Sequence, residues 1–290
     1  MSEHDFPHLL PAARTVARLP DAERIDWIRS AHWIEHPAAS KLLEQLQDYV
    51  KRPPCDRKRN VLLYGDSGIG KSQILRRLAF QNQAPDCAAE RGMSSLLYVL
   101  MPPMPKTFDF LVEINERINA PVCLSHKEVA LRGTTIDLLR EGNIRGLLID
   151  EINSIFAASP LQQRAFLQLL RFMANKLKIT LICAGTPEAK VALMSDGELK
   201  SRFRDIEMKR WQDGEALRGF LARLVQNLPL RRPSPVDSPS IRALVLERSA
   251  GLTTNIFEAF ECAAVAAIQS GREMLDRSSI EDDSAWVDAT

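Results

Sequence analysis

The sequence has almost no net charge. Its 38 Lys and Arg residues and 37 Asp and Glu residues leave a formal charge of +1. A strongly basic balance is typical of nucleic-acid-binding domains, and this composition gives no such indication. Any contact with nucleic acid must then come from local basic patches or from repetition of the chain in an oligomer.

Cysteine is scarce and scattered. The five residues are Cys55, Cys87, Cys123, Cys183 and Cys262, and none of them pairs at the Cys-x-x-Cys spacing of zinc or redox motifs. The five His residues form no ligand cluster in the sequence either. Because the number of cysteines is odd and the spacing irregular, we expect free thiols rather than a disulfide framework or a zinc site.

Long apolar runs are absent. No stretch approaches the roughly 20 residues that a membrane-spanning helix needs. The first five residues, Met-Ser-Glu-His-Asp, are acidic and polar, unlike a secretory or transit signal. The sequence therefore predicts a cytoplasmic protein without a membrane partner.

A length of 290 residues with 45% hydrophobic content allows one large or two modest domains with a sizeable core.

A glycine-rich loop follows the apolar run that begins at residue 60. Gly65, four further residues and then Gly70-Lys71-Ser72 have the full Walker A spacing. Glycines let the backbone turn so that its N–H groups point at phosphate oxygens, and the next helix directs its positive end toward the same anion. We therefore predict that ATP is bound by Gly65, Asp66, Ser67, Gly68, Ile69, Gly70, Lys71, Ser72 and Gln73.

Two carboxylates, Asp150 and Glu151, follow another apolar run at residues 146–149. Downstream of a phosphate-binding loop, we expect Asp150 to hold Mg²⁺ together with the Ser72 hydroxyl. Glu151 is placed to orient and deprotonate the attacking water, and Lys71 to reach the outer phosphates. The pattern predicts an ATPase with ATP and Mg²⁺ as its ligands.

Three more residues complete the predicted catalytic set. Thr186 follows the apolar run 179–184, where a polar side chain can sense the γ-phosphate or hold the lytic water. Arg202 is the first candidate, and Arg204 the second, for an arginine finger that reaches the γ-phosphate of a neighbouring subunit. The alternatives are a turn residue at 186 and surface ion pairs for the two arginines.

The order of apolar runs predicts the fold class. Alternating strands and helices over residues 53–210 indicate an α/β core with a parallel sheet flanked by helices. Residues 1–52 predict an N-terminal helical extension, residues 211–275 a C-terminal helical lid and residues 276–290 a tail. Within the core we expect further strands at 96–101, 146–149 and 179–184, and helices at 107–118, 135–141 and from a capping box at Ser159 to Leu177.

These parts, in this order, resemble the AAA+ ATPases, and a larger set of segments resembles TniB, the transposition ATPase family related to TnsC-type target selectors. The likeness runs from about residue 10 to about residue 275. The segments that carry it are residues 21–25, 33–34, 65–72, 148–151, 163–167, 170–172, 185–186, 201–203, 210–211 and 228–234.

The resemblance implies a role in DNA transposition. It implies that the protein assembles on double-stranded DNA as rings or filaments and marks target sites. It also implies two protein partners, a DDE transposase of the TniA or TnsB type and a TniQ-like targeting protein. DNA contacts are expected at Lys106 and Thr107, after a proline-rich turn, and at Arg132 and Thr134, in a loop before the next helix. Ordinary exposed charges are the alternative at these positions.

One part of the AAA+ pattern is missing. Many AAA+ proteins carry an arginine at the start of the third lid helix, where it touches the γ-phosphate. Here residues 251–256 read Gly-Leu-Thr-Thr-Asn-Ile, so Asn255 is the candidate substitute and slow turnover is expected. Trp33 and Ile34, with His36, precede the phosphate-binding loop and are candidates for the adenine pocket. A plain core role is the alternative for them.

Two other functions stay open on the sequence. One is a helicase loader of the DnaC or IstB kind, which would bind a replicative helicase instead of a transposase. The other is a nucleotide-switched scaffold that binds ATP without hydrolysing it. A GTPase is disfavoured because Asn175-Lys176 supplies only half of the base-reading Asn-Lys-x-Asp motif.

Overall fold

The computed structural model describes residues 5–30, 33–53, 59–83, 95–104, 106–122, 127–195 and 197–286. The chain divides into two compact units by its contacts. The first unit comprises Met1–Lys41, Ser67–Gly70 and Lys209–Thr290, and the second comprises Leu42–Asp66 and Lys71–Met208.

Helices and strands alternate through the middle of the chain, and helices occupy both ends. The strands are β1 (Asn60–Tyr64), β2 (Leu96–Leu100), β3 (Gly146–Asp150), β4 (Thr180–Gly185) and β5 (Phe203–Glu207). The α-helices within the described residues are α1 (Pro11–Val16), α2 (Asp21–Arg29), α3 (Pro37–Lys51), α4 (Lys71–Gln81), α5 (Thr107–Arg117), α6 (Glu128–Glu141), α7 (Pro160–Leu177), α8 (Pro187–Ser195), α9 (Gly197–Arg202), α10 (Glu215–Asn227), α11 (Pro239–Ser249), α12 (Thr253–Gln269) and α13 (Arg277–Glu281).

The second unit is built on a five-stranded sheet with the order β2-β3-β4-β1-β5. All four pairings are parallel. Every residue of β3 and β4 is buried, as expected for central strands covered on both faces. The four strands expected from apolar runs are therefore confirmed, and so is the parallel α/β architecture.

Helices of the second unit pack on this sheet through fully buried aromatic and aliphatic side chains. Phe110 of α5 and Phe166 of α7 meet edge to face with ring centroids 5.0 Å apart, in the same core as Leu147 and Ile149 of β3. The predicted start of α7 is confirmed, because Ser159 and Gln162 form a complete capping box. This core therefore supports the carboxyl ends of β1, β3 and β4.

One local prediction about the second unit was wrong, and one strand was missed. Helix α6 begins at Glu128, not at 135, and it runs through Gly133. Its buried residues Leu131 and Thr135 lie on either side of that glycine, so tertiary packing outweighs the cost of about 1 kcal/mol for glycine in a helix. The sequence also missed β5, an edge strand whose pairing with β1 joins segments far apart in the chain.

The first unit is helical and has its own core. Helices α10, α11 and α12 contribute buried residues such as Phe220, Val245 and Phe260, and Ile28 of α2 packs among them. Ile280 and Trp286, from the segment that the sequence set aside as a tail, belong to the same core.

A buried charge joins the N-terminal helices to the rest of the first unit. The Arg24 side chain has no exposed surface and forms an ion pair with Glu273, which is 12% exposed. Its guanidinium also donates to the Pro229 carbonyl oxygen at 2.8 and 3.1 Å and to Asp21 Oδ1 at 3.0 Å. Burial raises the pKa of Glu273, but hydrogen bonds from Arg24 and from the Arg231 backbone N–H outweigh it and lower that pKa overall. Glu273 is therefore the ionised partner of a buried cation.

Cys183 and Cys262 form no disulfide within the described residues, as predicted. Burial raises the pKa of the Cys183 thiol to about 12, so this side chain is a small apolar core residue at neutral pH. Cys55, Cys87 and Cys123 lie outside the described residues.

Among the helices of the described chain, none is by itself both long and apolar enough to cross a membrane. Helices α11 and α12 meet the length and composition criteria only when taken together, and they are bent by 114° at the break between them.

Replacing Arg24 with Ala should strongly destabilise the protein. The substitution leaves the Glu273 carboxylate and the Pro229 carbonyl without their buried donor, which costs about 3–5 kcal/mol. Urea unfolding followed by circular dichroism measures the shift in midpoint. The control is Arg218→Ala, which removes an exposed pair with Glu215 worth about 0–1 kcal/mol. Equal midpoints for the two variants would contradict the buried-pair assignment.

Candidate nucleotide-binding site

The order of the sheet brings three chain segments to one edge. The glycine-rich loop follows β1, Thr186 follows β4, and Asp150 ends β3. Because β4 pairs with both β1 and β3, and all three run parallel, their carboxyl ends are neighbours. Open parallel sheets bind ligands outside the carboxyl ends of their strands. The three predicted motifs are thus adjacent because of the topology of the sheet.

Lys71 is the first residue of α4 and is 7% exposed. Its Nζ donates to the carbonyl oxygens of Gly65 at 2.8 Å and Asp66 at 2.7 Å. Burial lowers the pKa of Lys71, whereas the negative charges of Glu151 and Asp150 act to raise it. The ammonium group is therefore a nearly buried donor at the position where a Walker A lysine meets phosphate oxygens.

The Asp150 carboxylate is fixed by two hydrogen bonds and is 2% exposed. Its Oδ2 accepts from the Tyr98 hydroxyl at 2.7 Å, and its Oδ1 accepts from the Glu151 backbone N–H at 3.0 Å. Burial raises the pKa of Tyr98, and the bond to Asp150 raises it further, so the phenol stays a neutral donor. Sequence reasoning missed Tyr98, although a phenol within an apolar strand was the available signal.

Ser72 and Asp150 offer the hydroxyl and carboxylate oxygens that Mg²⁺ prefers. The Asp150 carboxylate has roughly four lone-pair sites, of which the two bonds above occupy two. Its charge is buried and held in one orientation, as suits a cation bound next to phosphate. The residues at this position therefore fit magnesium.

Glu151 has an unusual backbone and a side chain held by a neighbour. Its φ of +56° lies in the left-handed region, which is uncommon for residues other than glycine and is a place where strain is stored at functional sites. Asn153 Nδ2 donates to Glu151 Oε2 at 3.1 Å. The Asn153 Oδ1 accepts from the Thr186 backbone N–H at 3.3 Å. One amide therefore links the candidate base to the candidate sensor.

Asn153 was not identified from the sequence. It lies in a 3-10 helix, Ile152–Ala157, whose position is set by tertiary packing. A Cβ atom at Gly185 would lie 2.7 Å from Ile152 Cγ2 and 3.2 Å from Asn153 Oδ1. Glycine at the end of β4 is therefore what lets the 3-10 helix approach closely enough for the Asn153 bridge.

The central residues of the glycine-rich loop, Ser67–Gly70, belong to the first unit together with α12. The Thr254 backbone N–H and Oγ1 donate to the Gly68 carbonyl oxygen at 2.9 and 3.0 Å. The Thr253 Oγ1 donates to the Ile69 carbonyl oxygen at 3.1 Å. These threonines, at the start of the third lid helix, occupy the stretch where the sequence lacks an arginine.

Asn255 is hydrogen-bonded to another residue of the lid. Its Nδ2 donates to the Ser249 carbonyl oxygen at 3.3 Å, within the lid itself. Substitution of the missing arginine by Asn255 stays a prediction, whereas Thr253 and Thr254 are the residues of this stretch that contact the glycine-rich loop. Successive residues of a helix point in different directions. The sequence alone could not show which of Thr253, Thr254 and Asn255 faces the glycine-rich loop.

The residues proposed for the adenine pocket lie in the first unit. Ile34 is buried in its core, and the His36 ring lies 5.2 Å from the Trp211 ring and 5.3 Å from the Phe220 ring. Burial lowers the pKa of His36 to about 4, so the imidazole is neutral at physiological pH. The packing agrees with a core role, and adenine contact by Trp33 and Ile34 stays a prediction.

The two candidate finger residues lie at the junction of α9 and β5. The Arg202 guanidinium donates to Asn175 Oδ1 on α7. Arg204, two positions later, is exposed on the edge strand β5. Both arginines are thus at the surface of the second unit, and their assignment as fingers stays a prediction.

Two of the four candidate DNA contacts are not in a loop. Arg132 and Thr134 lie inside α6, so the predicted loop position was wrong for both, for the same reason that α6 was expected to be shorter. The Arg132 guanidinium lies 5.3 Å from the centroid of the Phe172 ring. Lys106 precedes α5 and is exposed, and Thr107 is the first residue of that helix.

Comparison with known proteins gives a family and a fold. The family described as "Bacterial TniB protein" matches residues 24–213 of this chain. No curated protein sequence matches it significantly.

Solved structures resemble the chain at low sequence identity. The ORC2 protein of Aeropyrum pernix in its ADPNP–ADP complexes has a TM-score of 0.66 and 18% identity, covering 87% of this chain and 69% of that one. The ORC1 protein of the same organism, in complex with DNA, has a TM-score of 0.61 and 16% identity, covering 88% and 67%. Cdc6p from Pyrobaculum aerophilum has a TM-score of 0.57 and 17% identity, covering 86% and 68%. These likenesses confirm the predicted AAA+ P-loop ATPase fold with helical extensions.

Proposed function

We propose, because the chain belongs to the TniB family, that it is an ATP-dependent regulator of DNA transposition. In this proposal it assembles on target DNA and recruits a DDE transposase and a TniQ-like partner. The observation that carries the nucleotide chemistry is the nearly buried Lys71, which lies in the negative field of Glu151 and Asp150.

ATP binding follows from the loop and the residues around it. The loop N–H groups and Lys71 bind the phosphate oxygens, and the positive end of α4 favours the same charge. Ser72 and Asp150 are the residues that would hold Mg²⁺, which neutralises phosphate charge during phosphoryl transfer. The ORC2 structure with ADPNP and ADP supports a nucleotide in this fold.

Hydrolysis is assigned to Glu151 as the base that takes a proton from water. The Asn153 amide donates to Oε2, so Oε1 can face the water. Asn153 acts here as a positioning residue, because it also accepts from the Thr186 backbone and so holds the base and the sensor in one frame. General-base catalysis depends on this kind of fixed geometry, and typically contributes about 10²–10⁴-fold in rate.

Self-association is part of the proposal because an arginine finger acts from a neighbouring subunit. The Arg202 guanidinium donates to Asn175 at the surface of the second unit, and it would have to leave this partner to act on a neighbouring subunit. A finger stabilises charge in the transition state and is worth about 10³–10⁵-fold in rate in GTPases. ATP hydrolysis would thereby depend on the assembly of subunits into a ring or filament.

DNA binding is proposed through repetition of weakly charged subunits. A formal charge of +1 gives a single subunit little attraction for the backbone, but each added subunit repeats its local cations along the duplex. Lys106, Thr107, Arg132 and Thr134 remain the candidate contacts, the last two now from a helix. The ORC1 structure in complex with DNA supports DNA binding by this fold.

The alternatives are separated by simple assays. A helicase loader of the DnaC or IstB kind would co-purify with a replicative helicase, whereas this proposal requires a transposase and a TniQ-like protein. A nucleotide-switched scaffold would bind ATP and release no phosphate with or without DNA. The cytoplasmic location stays a prediction.

Lys71→Ala should abolish ATP binding, because it removes the cation that meets the outer phosphates. Glu151→Gln should bind ATP normally and release phosphate at least about 10²-fold more slowly, because it removes the base but not the loop. Calorimetry with Mg²⁺ and ATP measures binding, and steady-state phosphate release with and without duplex DNA measures hydrolysis. Normal hydrolysis by Glu151→Gln would contradict the assigned base, and ATP-dependent assembly of Lys71→Ala on DNA would contradict the assigned loop.

Asn153→Ala should lower kcat by about tenfold or more and leave KM for ATP nearly unchanged, since the base loses its orientation but the loop does not. Asn153→Asp should lower kcat at least as much, because an ionised carboxylate cannot donate a hydrogen bond to Glu151 Oε2. Ser154→Ala, at the next position of the 3-10 helix, is the control. An unchanged kcat for both Asn153 variants would remove Asn153 from the positioning role.

Arg202→Ala and Lys71→Ala should each be inactive alone and active when mixed. In a mixed assembly the Lys71→Ala subunit supplies Arg202 to the intact loop of the Arg202→Ala subunit. The loss in Arg202→Ala alone should be about 10³-fold if it is the finger. Arg204→Ala, measured in parallel, should retain most of the activity. Recovery with Arg204→Ala in place of Arg202→Ala would transfer the finger to Arg204.

A further inference from the structure

We propose that Thr253 and Thr254 orient the phosphate-binding loop by holding two of its peptide planes. The proposal deepens the proposed function, because it names the residues that prepare the loop for a nucleotide. It starts from the three hydrogen bonds that the start of α12 donates to the carbonyl oxygens of Gly68 and Ile69.

Peptide geometry turns these bonds into a statement about the loop N–H groups. A trans peptide unit is planar, and its C=O and N–H point in opposite directions. The carbonyl of Gly68 shares its plane with the N–H of Ile69, and the carbonyl of Ile69 shares its plane with the N–H of Gly70. With both carbonyls turned to Thr253 and Thr254, the two N–H groups point away from α12. They are the donors that a Walker A loop offers to phosphate.

The loop needs such support because its own backbone does not fix it. Gly68 and Gly70 have φ of +77° and +99°. Glycine adopts positive and negative φ about equally readily, so these two residues do not by themselves hold the loop in one conformation. The side chain of Thr254 closes around Gly68, whose Cβ position would lie 3.3 Å from Thr254 Oγ1. The Trp211 indole N–H in turn donates to Thr253 Oγ1 at 3.0 Å, which leaves that hydroxyl hydrogen for Ile69. Each hydroxyl is therefore directed at the loop.

The arrangement also explains how the lid works without an arginine. An arginine at the start of this helix would act on the γ-phosphate directly, and so would distinguish ATP from ADP. Threonines that bind loop carbonyls act on N–H groups that meet any phosphate chain. The lid should therefore contribute to the affinity for ATP and ADP alike.

The experiment compares Thr253→Val/Thr254→Val with Thr253→Ser/Thr254→Ser. Valine keeps the shape of threonine and removes both hydroxyls, whereas serine keeps the hydroxyls. The control is Thr15→Val, which makes the same chemical change at an exposed helical site where Oγ1 donates to the Pro11 carbonyl at 3.2 Å. Far-ultraviolet circular dichroism and thermal midpoints check that every variant is folded.

Two readouts follow. Amide hydrogen exchange of the segment 65–72, measured without nucleotide, should be about tenfold faster in the valine double variant and unchanged in the serine variant and the control. Calorimetric Kd values for ADP and for a slowly hydrolysed ATP analogue should both rise about tenfold in the valine variant. A matched loss for the two nucleotides is the expected signature.

Unchanged Kd values in the folded valine variant would overturn the inference, whatever the exchange rates. A loss confined to the ATP analogue would also overturn it, since it would assign the threonines to the γ-phosphate. Failure of the wild-type protein to bind either nucleotide would instead refute the proposed function. In that case the exchange readout alone decides whether the threonines hold the loop.

Discussion

The parallel pairing of β4 with both β1 and β3 is the constraint on which the candidate site depends. The chain supplies a cation after one strand and two carboxylates at the end of another, but neither segment contains information about the other. The hydrogen-bonded ladder brings them to one edge, where Lys71 loses water and gains the field of Asp150 and Glu151. Phosphoryl transfer needs this kind of prepared charge more than it needs covalent chemistry.

A second layer of contacts converts that edge into a defined geometry. Tyr98 fixes the Asp150 carboxylate from the neighbouring strand, and Asn153 spans from Glu151 to the backbone at Thr186. Glu151 is held in a left-handed backbone conformation that costs free energy, so the surrounding packing must determine it. Gly185 is part of that packing, because a larger residue would displace the 3-10 helix that carries Asn153.

The first unit depends on its own polar contacts. Arg24 is buried at the expense of desolvation, and its guanidinium is hydrogen-bonded to Glu273 and to the Pro229 carbonyl oxygen. Such a pair is sensitive to the loss of either partner, so it ties the N-terminal helices to a single arrangement. The same unit presents Thr253 and Thr254 to the glycine-rich loop, and the Trp211 indole N–H fixes one of those hydroxyls.

The amino-acid sequence by itself determined the elements whose signals are local. Apolar runs predicted four strands, and the capping box at Ser159 predicted the start of α7. Walker A spacing pointed to Lys71 and Ser72, and an apolar run that ends in two carboxylates pointed to Asp150 and Glu151, as candidate site residues. Tertiary structure alone decided the features that join distant segments. The edge strand β5, the full length of α6 through Gly133 and the bridge made by Asn153 all depend on partners far along the chain. Single-sequence periodicity cannot show them, because burial and pairing, not local propensity, set their free energy.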